Sequence, residues 1–342
     1  MGNDETLQGF TKADALLHTL ITDKKVPGIA IKAVKNGSAF FQKSYGYADI
    51  EKKTLIQLDK TVFRIASVSK PIAATALAYA VADGIIDLDA AYHTYVPYYP
   101  EKKWNFTIRQ LASHTAGIRG YKGKEYGLNE PYSIKESITI FKDDDLLFEP
   151  GTDYHYNSFD WVLISLAIQE ASGITFETYV KEKVLKPIQM ERTFPEIADE
   201  EQENCTTFYT KNALGFRKAI PVNNFYKLAG GGFLATVDDI IKLGLAYLEN
   251  KILNTAIIKP FITATTVQNT STYYGLGWQV SEDKKGRSYY GHIGNGIGGY
   301  SNFFVYPDQQ IVIAILINCT NPNIQMVLDD VVDHLISNTA QS

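Results

Sequence analysis

Cysteine is scarce: Cys205 and Cys319 cannot build a disulfide scaffold, and two buried free thiols are expected. Basic residues are not in excess either. Against 38 Asp and Glu stand 33 Lys and Arg, leaving a net charge of −5 and no electrostatic case for a nucleic-acid partner. No apolar run approaches the ~18 residues of a membrane span, so none is expected. The start, Met1-Gly2-Asn3-Asp4-Glu5, lacks a basic segment followed by an apolar core, so no signal peptide is read. A periplasmic or secreted compartment stays open for a trimmed mature chain. His18, His93, His114, His155 and His334 show no metal-ligand spacing, and H-E-x-x-H is missing; no metal or cofactor is implied. The absence of G-x-S-x-G argues against an α/β-hydrolase. No internal repeat or low-complexity segment is visible.

What is present is the composition of a globular chain, 45% hydrophobic and 21% charged. Its 342 residues suffice for one large domain or two intimate lobes. Leu7 to Ile21 has helical apolar spacing. Gly28 to Val34 and Ser38 to Tyr47, joined across Asn36-Gly37, read as a β-hairpin. Helical segments and long loops follow: Ile108 to Ser113, Phe159 to Ala171, and Phe176 to Leu185 with Thr175 as N-cap. Asp238 to Leu248 is a further helix. Strands are expected over Tyr273 to Ser281, Arg287 to His292, Tyr300 to Tyr306 and Ile311 to Asn318, before a helix from Asn323 to Ile336. The continuous apolar run Ile311 to Ile317 predicts a strand covered on both faces. The order predicts an α+β fold: an antiparallel sheet flanked by helices, with an inserted, mainly helical lobe. The sheet lobe is expected from 1–66 and 215–342, the helical lobe from 67–214, and the site in the cleft between them.

The stretch Phe63-Arg64-Ile65-Ala66-Ser67-Val68-Ser69-Lys70-Pro71 sits at that junction. Read as a helix running to Ala82, it puts Ser67 in the first turn and Lys70 three residues later on the same face. Pro71 is tolerated there because first-turn amides have no intrahelical acceptor, and Asp83-Gly84 is a stop. The helix is apolar nearly all round, which marks it as buried. A lysine on a buried helix is costly unless it finds partners or loses its proton. An ordinary lysine is free base only about once in a few thousand at pH 7. Burial and a second cation lower that barrier, so Lys70 is a candidate base for a Ser67 nucleophile. Tyr156, after the Pro150-Gly151 turn, could shuttle a proton, although packing is the usual role of a tyrosine. Gly294, Gly296 and Gly299 formally match G-x-G-x-x-G, but a strand follows instead of a helix, which excludes a dinucleotide site. Such glycines suit close approach of backbone N–H groups to a ligand, with His292 as a pocket residue.

Ser67-x-x-Lys70, Tyr156 and His292-x-Gly294, in this order and spacing, resemble the motifs of the serine β-lactamase and D,D-peptidase (penicillin-binding protein-like) family. The class C-like branch, with its esterases and D-amino-acid peptidases, is the most similar. Thr107 to Gly117, Pro150-Gly151-Thr152 and Ala229-Gly230-Gly231-Gly232 add to the resemblance, which covers nearly the whole chain. It implies a β-lactamase/transpeptidase-like fold in which Ser67 forms an acyl-enzyme. It implies further that Lys70 and Tyr156 share the acid–base work, and that the N–H groups of Ser67 and Asn295 hold the oxyanion. Which of Lys70 and Tyr156 takes the first proton stays open. Two departures are visible. The second motif, usually Tyr-Ser-Asn or Tyr-Ala-Asn, reads Tyr156-Asn157-Ser158, so the substrate-facing amide becomes a hydroxyl unless Asn157 substitutes. The third, usually Lys-Thr-Gly in β-lactamases, reads His292-Ile293-Gly294, which loses the cation that holds the β-lactam carboxylate. A serine hydrolase of esters or small, D-amino-acid-containing peptides or amides is therefore expected, with weak β-lactam turnover. The other readings are a class C-like β-lactamase or D,D-carboxypeptidase, an acyltransferase, and a non-catalytic scaffold on the same fold. The expected partner is a small-molecule ester, peptide or β-lactam, with no nucleic acid.

Overall fold

The computed structural model describes residues 2–197 and 202–339. Both ends of the expected sheet lobe, residue 1 and residues 340–342, lie outside them. Helix α1 (Gly2–Thr22) leads into β1 (Gly28–Lys35) and β2 (Ser38–Asp49), then the short β3 (Thr54–Leu55). Asn36 and Gly37, at φ 49° and 77°, make the two-residue turn whose left-handed backbone matches the twist of a hairpin. After a helical insertion come β4 (Gln279–Glu282), β5 (Ser288–Gly296), β6 (Gly299–Tyr306) and β7 (Ile311–Ile317). These seven strands form one antiparallel sheet in the order β4-β5-β6-β7-β1-β2-β3.

Strand β7 shows why the sheet is covered twice. Ile311, Ile313, Ile315 and Ile317 join a core with Leu17 and Leu20 of α1 and with Leu328, Val331 and Leu335 of a C-terminal helix. Alternate residues Val312, Ala314 and Leu316 face the other core, with Ile240 and Leu243. Period-two alternation thus puts every β7 side chain in a core, as a continuous apolar run requires. The second face is closed by the helix Val237–Leu248, and Gly244 lets it approach: a Cβ there would lie 2.4 Å from a Val312 methyl.

The buried helix α2 (Ser69–Ala82) packs against α3 (Phe159–Ser172), both apolar on nearly every side. We number the helix Val237–Leu248 as α4 and the last, Gln325–Thr339, as α5. Ser67 does not sit in the first turn of α2. It lies in a 3₁₀ turn, Ala66–Val68, that links the two-residue strand Phe63–Arg64 to α2. Ala66 is left-handed, at φ 45°, a strained position for a residue with a Cβ. Strand pairing of Phe63 and Arg64 with Ala235 and Leu234 fixes the entry direction, and the left-handed residue turns the chain into α2.

Three further expectations are corrected. The strand placed at Tyr273 to Ser281 shrinks to β4, because Tyr273 and Gly277 take φ 55° and 83° and break the extended run. The glycine-rich segment after His292 is not a turn: β5 continues through Gly296, and only Ile297 and Gly298 reverse the chain. Beyond Phe176–Val180 the helix relaxes into a π-turn, Lys181–Leu185, and the Thr175 hydroxyl donates to Thr178 instead of capping an amide. Both cysteines are free thiols, Cys319 buried and Cys205 half-buried. Among the described residues no helix is long and apolar enough to cross a membrane.

Candidate active site

The 3₁₀ turn presents the Ser67 hydroxyl between two groups. Lys70 Nζ lies 3.1 Å from Ser67 Oγ, and the Tyr156 hydroxyl donates to the same oxygen at 2.8 Å. Lys70 is fully buried, and its other hydrogen bond goes to the Gly230 carbonyl at 2.7 Å. Burial drives its ammonium down to about 7; the Asp160 carboxyl opposes that shift and the Lys227 charge adds to it. Burial pushes the Tyr156 phenol the other way, well above its ordinary range, so it stays protonated. The two candidate bases are therefore unequal.

Tyr156 owes its place to the preceding turn. Gly151 N–H donates to Thr115 O and His155 N–H to His114 O, so the segment runs alongside His114–Thr115. The ring of His114 backs that of Tyr156 at 4.6 Å between centroids. Asn157 does not face the pocket. Its amide nitrogen donates to Ile118 O and Asp160 Oδ2, and its oxygen accepts the Asp160 N–H, which caps α3. Ser158 does line the pocket beside Ser67.

Asp160 and its partner are not among the candidate site residues of the sequence. His114 Nδ1 lies 2.7 Å from Asp160 Oδ2, both buried. Burial pushes the imidazole well below its usual range and the carboxyl well above its own. An acidic residue inside the apolar run of α3 was the available signal.

On β5, His292 is also buried. The Ile293 carbonyl can only accept, so Nδ1 donates to it at 2.7 Å, and Nε2 takes the Tyr274 hydroxyl at 3.0 Å. Burial first, then the Lys70 charge, drives His292 down to about 3, against the opposing Ile293 bond. The imidazole is a neutral post behind Tyr156, its ring 5.9 Å away. Gly294 is where the catalytic turn touches the sheet. A Cβ there would lie 2.3 Å from Ile65 O, 2.2 Å from Ser301 Oγ and 3.1 Å from Ser67 N. Asn295 pairs with Tyr300, one step from the Gly296–Gly299 pair that closes the hairpin. In an antiparallel ladder that parity makes Asn295 a non-hydrogen-bonded pair, its N–H directed away from β6. Ile293, of the same parity, sends its N–H to Gln279 on that side.

The structure thus brings Ser67, Lys70, Tyr156, Ser158, Gly294 and Asn295 together. It places Asn157 and the imidazole of His292 in buried networks behind them. No group of three His, Cys, Asp or Glu among the described residues could hold a metal ion.

An antiparallel sheet between helices, with a serine flanked by lysine and tyrosine against strand β5, marks the β-lactamase fold. Residues 13–337 match the Beta-lactamase family model, and the chain belongs to that family. It is 28% identical to the serine beta-lactamase-like protein LACTB, mitochondrial, of Homo sapiens, over 86% of this chain and 71% of that one. D-amino acid amidase from Ochrobactrum anthropi SV3, complexed with D-phenylalanine, shares the fold with a TM-score of 0.84 at 19% identity, over 96% and 99% of the two chains. EstCE1, a hydrolase with promiscuous acyltransferase activity, gives a TM-score of 0.81 at 18% identity over the same shares.

Proposed function

We propose that the chain is a serine hydrolase that forms an acyl-enzyme on Ser67. Its substrates are esters or small peptides and amides, D-amino-acid-containing ones included, with weak β-lactam turnover. One observation carries this: Ser67 Oγ lies within 3.1 Å of Lys70 Nζ and 2.8 Å of the Tyr156 hydroxyl, in a pocket. Lys70, brought down to about 7, is free base for a useful fraction of molecules at neutral pH. Tyr156 is not, so Lys70 takes the Ser67 proton as Oγ attacks the substrate carbonyl. The Tyr156 hydroxyl then hands its proton to the leaving group as the Lys70 ammonium returns one to the phenolate, so both side chains end as they began. The N–H groups of Ser67 and Asn295 receive the oxyanion; losing one such donor typically costs about 100- to 1000-fold in turnover. Water resolves the ester by the reverse route.

The β-lactam preference follows from β5. A neutral His292 with both ring nitrogens engaged offers a carboxylate nothing on that strand. A lost charge-assisted hydrogen bond is worth on the order of 10-fold or more. A short-chain 4-nitrophenyl ester is therefore expected to turn over at least about 10-fold faster than a chromogenic cephalosporin. Both activities should vanish in Ser67→Ala. Cephalosporin turnover equal to the ester's would overturn the preference, and ester turnover that survives in Ser67→Ala would overturn the nucleophile.

A further inference from the structure

The pocket beside Ser67 holds a cation that takes no part in the proton transfers above. Lys227, at the end of the turn Phe225–Lys227, lines that pocket together with Ser67, Ser158, Tyr126 and Asn295. The residue is 8% exposed. Its ammonium donates to the Tyr126 carbonyl at 3.1 Å and lies 5.2 to 5.5 Å from the ring centres of Tyr121, Tyr126 and Tyr226. Nearby carboxylates are taken. Glu196 accepts the Arg64 Nε–H, shared between its two oxygens at 2.9 Å, together with Arg64 Nη2 at 2.5 Å and the Asn224 amide at 2.8 Å. Glu125 pairs with Arg119. Among the described residues no carboxylate pairs with Lys227.

An ammonium has three donors, and one backbone carbonyl engages one of them. Tyrosine faces offset part of the burial cost, but a buried charge without a counterion is unfavourable until an anion arrives. Burial, helped by Arg64 and opposed by Glu196, brings Lys227 down only to about 8, so it stays mostly charged at pH 7. The pocket has direction as well. The leaving group must reach the Tyr156 hydroxyl for its proton, and that ring stands among His114, Tyr274 and His292, whereas Lys227 stands among Tyr121, Tyr126 and Tyr226. The acyl portion is the part that fills it.

We propose that Lys227 binds a carboxylate carried on the acyl portion of the substrate. The preferred substrates are then esters or amides of acids bearing a second, free carboxylate. This rests on the serine-hydrolase reading above and narrows it to one substrate class.

The test uses the 4-nitrophenyl monoesters of succinic, glutaric and adipic acid. Each is compared with its ω-methyl ester, with buffer rates subtracted. At the best-fitting length, wild-type kcat/KM for the free acid should exceed that for the methyl ester by about 10-fold or more, mostly through KM. In Lys227→Met the ratio should fall to one or below. A wild-type ratio of one or less at all three lengths would overturn the proposal, and so would a preference that survives in Lys227→Met. Should that variant fail to fold, the wild-type ratios still decide. Failure of the hydrolase reading looks different: neither ester of any pair is cleaved faster than by Ser67→Ala, and the carboxylate proposal falls with it.

Discussion

Replacing Lys70 by methionine is expected to lower kcat/KM for a 4-nitrophenyl ester by about 1000-fold, the middle of the range for a positioned general base. Methionine has nearly the length of lysine and fills the same buried space, so the change removes the base and little else. Because burying an ammonium is costly, the variant should be at least as stable as wild type. Its pH behaviour separates lost chemistry from lost structure. In wild type, Lys70 is protonated below about 7 and free above it. Since only the free base can accept the Ser67 proton, kcat/KM should rise through that region and level off above it. The residual rate of Lys70→Met should lack this limb. A variant within about 10-fold of wild type, or one that keeps the limb, would remove Lys70 from the base role.

Glu196→Ala is expected to produce the largest stability loss, about 3–5 kcal/mol in urea unfolding. The reason is geometric. Arg64 and Glu196 form an ion pair with side chains only 8% and 11% exposed, so truncation leaves a buried guanidinium without its anion. Arg64 also donates to Ile297 O at 2.7 Å and stacks on Phe208 at 3.8 Å. It therefore ties the strand entering the Ser67 turn to the β5–β6 hairpin, and the loss should be felt at the site as well as globally. A change below about 1 kcal/mol, the range of exposed pairs, would show that the pair does not hold this junction.

Much of this molecule is legible in its sequence because period and punctuation are local signals. Asn36-Gly37 announces its hairpin, the run Ile311 to Ile317 its doubly covered strand, and the uninterrupted apolar stretch after Ser69 a buried helix. The spacing of Ser67 and Lys70, with Tyr156 after its Pro-Gly turn, pointed to three side chains that the fold brings into contact. What stayed hidden is what long-range contact decides. Nothing local says that Ala66 is left-handed; the pairing of Phe63 and Arg64 with a strand some 170 residues on imposes it. Glycines after His292 read as a turn, yet they keep the strand bare so that Ile65 and Ser67 can lie against it. Whether Asn157 replaces the lost substrate-facing amide is open in the sequence, and its bonds to Asp160 decide against it. Arg64 with Glu196, and Lys227 with its three tyrosines, are assembled across more than 100 positions or by side-chain packing, where no periodicity operates.

Ser67 is expected to carry the acyl group during turnover. The most direct measurement is intact-protein and peptide mass spectrometry after brief reaction with a 4-nitrophenyl ester and an acid quench. One added acyl mass is expected, located on the peptide that holds Ser67 and absent from Ser67→Ala. An adduct on another residue, or ester turnover with no adduct accumulating even in a fluorophosphonate control, would contradict it.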